Sequence, residues 1–119
     1  MKITFNNTEY EVRVSEQKLP PEIKSQWLEA LRSGKFPQGK HRLCANGYYC
    51  CLGVLSHIQG RLTQSGYDGT TDTVLCHDNP LHWVNDVRMV DSFQVITLIG
   101  LNDNDMPFTQ IADIIEHAL

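Results

Sequence analysis

The sequence predicts a small α+β domain, with an N-terminal β-hairpin followed by a mainly helical body. Three observations carry this. Ile3-Thr4-Phe5 and Tyr10-Glu11-Val12-Arg13-Val14 alternate apolar and polar residues on either side of a polar turn. Apolar residues recur at helical spacing after Pro21 and again after Pro107. Between these stretches lies the most apolar run of the chain, Tyr48-Tyr49-Cys50-Cys51-Leu52-Gly53-Val54-Leu55.

The hairpin needs a turn, and Asn6-Asn7-Thr8-Glu9 supplies the residue types. A connector from Ser15 to Leu19 leads to Pro20-Pro21. Proline suits the first turn of a helix, where its missing N–H is not needed, and Glu22 follows at the positive end of the helix dipole. Ile23, Trp27, Ala30 and Leu31 make one stripe, and Ser33-Gly34 ends it. The first helix is therefore expected from Pro21 to Ser33. Lys35 to Gly47 reads as a loop with short strand character at His41-Arg42-Leu43-Cys44.

Asn46-Gly47 marks a turn and Gly60 suits a helix end, so the central run is expected to be a buried helix from Cys50 to Ile58. Residues 60–79 are polar and small, and read as a long loop with a short strand at Thr73-Val74-Leu75-Cys76. Asn79-Pro80 opens a turn, and Leu81-His82-Trp83-Val84 reads as a short helix or strand. Ser92 to Leu101 satisfies both periods. The reading leans to a helix ending at Gly100. Asn102-Asp103-Asn104-Asp105 is expected as a turn and cap. A last helix follows Pro107, burying Phe108, Ile111, Ala112, Ile114 and Ile115.

With 119 residues, 41% of them hydrophobic and 20% charged, the chain suits one globular domain spanning 1–119. No apolar run approaches a transmembrane span, and the first residues lack the apolar core of a signal peptide. A cytoplasmic location is expected, where four cysteines stay reduced. The net charge of −4 hides an asymmetry. Residues 1–67 carry nine Lys/Arg against five Asp/Glu, and residues 68–119 carry one against nine.

The arrangement of blocks is informative. Trp27-Leu28-Glu29-Ala30-Leu31-Arg32-Ser33-Gly34-Lys35-Phe36 precedes Gln38-Gly39. Tyr49-Cys50-Cys51-Leu52-Gly53-Val54-Leu55 follows, then Leu101-Asn102-Asp103, then Phe108-Thr109-Gln110-Ile111-Ala112-Asp113-Ile114-Ile115-Glu116. In this order the blocks resemble a family of small bacteriophage and prophage proteins, mostly of unassigned function. The resemblance covers residues 27–59 and 98–116. It departs at Pro107, where a capping Ser or Thr would be expected. It implies a phage accessory protein that acts on its host in the host cytoplasm, as an inhibitor or counter-defence factor.

The residues offer several chemistries. Arg32, Lys35, Lys40, His41 and Arg42, interleaved with Gly34 and Gly39, make a basic loop suited to phosphate or carboxylate. The plainer reading is a solvated loop beside a helix end. It has no phosphate-loop pattern, and the overall acidity argues against duplex DNA. Tyr67 and Trp83 are aromatic candidates for the same contact surface, formed with loop 61–79. Cys50 or Cys51 at a helix start can be read as a nucleophile, with His41, His57, His77 or His82 as base, or as small apolar core residues.

Cys44, Cys50 or Cys51, Cys76 and His77 lack the usual zinc spacing. Asp103 and Asp105 lack the glycine and glutamate of a calcium loop. No metal or cofactor is expected. The resulting expectation is a non-enzymatic binder whose partner is an acidic host protein. A sponge for a small anionic, nucleotide-derived signal and a cysteine hydrolase are the alternatives.

Overall fold

A computed structural model describes residues 1–60 and 97–119 and the backbone of 89–90 and 95–96. It is an α+β fold that opens with the expected hairpin. Strand β1 (Lys2–Phe5) pairs antiparallel with β2 (Thr8–Val12), with Phe5 opposite Thr8. Asn6 and Asn7 both take positive φ, 51° and 63°, so the turn is the two-residue kind that matches strand twist. Two further short strands extend the sheet. Strand β5 (Met89–Val90) pairs with β2, and β6 (Val95–Ile96) pairs with β5, giving the order β1-β2-β5-β6.

Helix α1 (Pro21–Arg32) starts at the expected proline and buries Trp27, Leu28 and Leu31. Gly34, at φ +76°, leaves it in the left-handed conformation that favours glycine. Strands β3 (Cys44–Ala45) and β4 (Tyr48–Tyr49) form a small hairpin around Asn46-Gly47. The strand expected at His41–Cys44 thus begins only at Cys44. Helix α2 (Cys51–Ile58) follows, with Cys51 to Ser56 all buried. It is the centre of the core, as its composition implied.

The expected helix over Ser92–Leu101 is corrected. Val95–Ile96 is a strand, and helix α3 runs Leu98–Asp103. Thr97 separates them by accepting a hydrogen bond from the Gly100 N–H at 3.2 Å on its hydroxyl. The β-branched pair goes to the sheet, and the cap restarts the chain as a helix. Asn102 and Asp103 therefore close α3, and Asn104-Asp105 make the turn beyond it. Helix α4 (Phe108–Ala118) buries the five apolar residues expected of it.

The core joins α1, α2, α3 and α4 to Tyr10 and Val12 of the sheet. At its centre, the Trp27 indole N–H donates to the Cys51 carbonyl at 3.0 Å. The expectations for loop 61–79, Thr73–Cys76, Leu81–Val84 and Ser92–Gln94 lie outside the described residues.

Candidate functional site

The basic loop is held by the turn after α3, residue by residue. Gln38 donates its amide to the Asn102 side chain at 3.0 Å and to the Met106 carbonyl at 2.7 Å. Its own side-chain carbonyl accepts the Phe108 N–H at 3.2 Å, which caps α4. Gly39 gives its carbonyl to the Asn102 amide at 2.8 Å. Lys40 pairs with Asp105. The His41 backbone N–H donates to Asp103 Oδ1 at 3.1 Å, and its ring Nδ1 lies 3.4 Å from Oδ2. Four successive residues are thereby fixed to residues 102–108.

Two glycines let the chain pack this closely. A Cβ at Gly39 would come within 2.8 Å of the Tyr48 Cβ. A Cβ at Gly53 would come within 1.7 Å of the Leu43 carbonyl oxygen. The second contact is to backbone, so no side-chain rotation relieves it. The tip of the β3–β4 hairpin lies beside the loop and leaves Tyr48 55% exposed.

The structure divides the predicted site residues. Arg32 turns to α4, with one guanidinium nitrogen 2.8 Å from Asp113 and 3.0 Å from Glu116. These hydrogen bonds, Glu116 first, raise its pKa. It braces α1 against α4 and does not extend the loop's free charge. Lys40 and His41 face acidic partners on the turn. Lys35 and Arg42 are exposed and, among the described residues, carry no ion pair. Tyr67 and Trp83 lie outside the described residues. Sequence reasoning missed Gln38, Asn102, Asp103 and Asp105 as parts of the site.

The cysteines are built into the core. Cys50 caps α2, its Sγ accepting the Gly53 N–H at 3.3 Å. Cys51 donates its thiol to the Leu98 carbonyl at 3.7 Å. Burial pushes both thiols up, Cys51 well above its ordinary value. No hydrogen bond joins either to a described histidine. Both conditions oppose a thiolate nucleophile. Among the described residues, no group of three His, Cys, Asp or Glu is placed to hold a metal ion. None of the described helices is long and apolar enough to cross a membrane.

A second feature forms around Phe36. The Phe36, Tyr49 and His57 rings meet edge to face, with centroids 5.2 to 5.6 Å apart. Phe36 and His57 join Gln26, Glu29, Ala30 and Ile58 around an open depression of about 540 Å³. Among the described residues that line it, the one acidic side chain is Glu29, which disfavours an anion there.

Residues 19–76 are similar to a domain of unknown function, DUF8296, over a span just short of half the chain. That span includes α1, the basic loop, the β3–β4 hairpin and α2. It stops before the turn 102–108 that holds the loop. None of the curated proteins compared matches the chain. None of the solved structures compared does either.

Proposed function

We propose that the protein is a phage or prophage accessory factor. In this reading it works without catalysis, by binding a host component and inhibiting or sequestering it. The resemblance of its sequence blocks to small phage proteins supports the setting. The observation that carries the binding face is the fixing of residues 38–41 by the turn 102–108. A loop already held in place loses little conformational freedom on binding, so its outward charges act at lower entropic cost. Lys35 and Arg42, which flank the fixed residues, are those charges, and Tyr48, packed against Gly39, is an exposed aromatic anchor. An acidic protein surface is the partner this face suits.

The alternatives find less support. A sponge for a small anion needs cations converging on a cavity, and the depression beside Phe36 carries a carboxylate instead. A cysteine hydrolase needs an accessible thiolate, and both central thiols are buried and held protonated.

The test is affinity capture from bacterial lysate with the wild type and with the Lys35→Glu/Arg42→Glu variant. The wild type is expected to retain an acidic host protein that the variant loses. Identical retention by both would contradict the reading.

A further inference from the structure

His41 holds a backbone φ of +69°. A side-chain-bearing residue stays in that region only when its surroundings fix it there. Asp103 does so twice. One carboxylate oxygen accepts the His41 backbone N–H, and the other lies 3.4 Å from ring Nδ1. Asp103 is itself anchored by the Asn102 amide at 3.2 Å, and its side chain is 20% exposed. The His41 side chain is 75% exposed. The inner ring nitrogen therefore faces the Asp103 carboxylate, and no described residue hydrogen-bonds the outer one.

This arrangement has a chemical consequence. A carboxylate beside Nδ1 favours the neutral tautomer with its proton on Nδ1. Nε2 then shows a lone pair outward and repels the oxygen of an anion. Protonation turns Nε2 into a donor and adds a positive charge. The charged groups on the two segments that meet here are Lys40, Arg42, Asp103 and Asp105. Lys40 and Asp105 compensate each other, leaving Asp103 and Arg42 to set the local field. Cys50 and Cys51, the other titratable groups that feel Asp103, are kept neutral thiols by burial.

We infer that His41 is a proton-gated contact of the binding face, with Asp103 its positioning residue. The face takes a carboxylate-rich protein surface when the imidazole is protonated and weakens as the proton leaves. This rests on the binding-face reading above. A protein surface is the occupant because Lys35 and Arg42 lie along an exposed loop and the neighbouring depression carries Glu29.

The probe is a deca-aspartate peptide with rhodamine on its α-amino group, so that its charge is constant between about pH 6 and about pH 8. Its affinity is read by fluorescence anisotropy. The wild type is expected to bind about tenfold more tightly at the lower pH, the gain of one charge-assisted hydrogen bond. His41→Gln should bind equally at both, near the wild-type value at the higher pH. Asp103→Asn should shrink the pH ratio to about threefold or less, because the neutral ring can then carry its proton on Nε2. A wild-type affinity equal at both pH values overturns the gate and leaves the binding face standing. A pH ratio that survives in His41→Gln also overturns the gate. No binding at either pH, or binding indifferent to Lys35→Glu/Arg42→Glu, defeats the face itself and the gate with it.

Discussion

Asn102 shows how much one side chain organises. It is fully buried, and both its amide hydrogens and both carbonyl lone pairs are used. It accepts from Gln38 and from the Cys51 N–H at the start of α2, and donates to Gly39 and Asp103. Asn102→Ala would leave the Cys51 N–H and the Gly39 carbonyl without these partners. The expected loss is about 2–4 kcal/mol, seen as a lower urea midpoint. In the sequence this residue read as part of a turn. An asparagine among Asp and Asn looks the same whether it meets water or the core, and nothing local couples it to Gln38.

The thiols make a second prediction at this scale. Burial raises both above their ordinary value, so the folded state keeps protons that the unfolded chain releases in alkali. Stability is therefore fully present below the unfolded thiol range, near ~8.5, and falls as pH rises through the folded values. The urea midpoint should be flat between about pH 7 and about pH 8 and decline above about pH 9. Tyr49, also raised by burial and by Cys44, adds a decline of the same sign. Cys51→Ala should lower the midpoint but flatten the decline. An equally steep decline in that variant would remove the thiols from the explanation.

At the scale of elements, periodicity told most where it was long. Helix α1 and helix α4 each carry a wide apolar stripe and begin beside a proline, and both were legible almost to the residue. The central run was legible as a buried helix because small turn residues bracket it. The segment around Val95 was not, because a two-residue strand, a cap and a six-residue helix leave no full period to read. The end of the basic loop carries its own structural role, through the Gln38 cap on α4. Gln38→Ala removes a cap and leaves the Met106 carbonyl without its donor. It should cost about 1–2 kcal/mol and lower the urea midpoint accordingly. An unchanged midpoint would mean that water replaces the cap at no cost.

Over the whole molecule, the charge asymmetry of the sequence is partly spent inside the fold. Arg32 reaches Asp113 and Glu116, Lys40 reaches Asp105, and His41 reaches Asp103. These pairs are exposed and screened, so each contributes little to stability. Their consequence is positional, since they bring the basic first half against the acidic last part. The asymmetry of charge was visible in the sequence. Which cations would be paired and which left outward was not, because the pairing spans some sixty to eighty positions.

The central claim is that residues 38–41 are fixed by the turn 102–108. Native-state amide hydrogen exchange at neutral pH tests it directly. The His41 and Phe108 amides, bonded to the Asp103 carboxylate and the Gln38 side-chain carbonyl, should exchange at least about a hundredfold more slowly than an unstructured chain. Exchange of both at unprotected rates would contradict the claim and remove the preorganised face on which the proposed function stands.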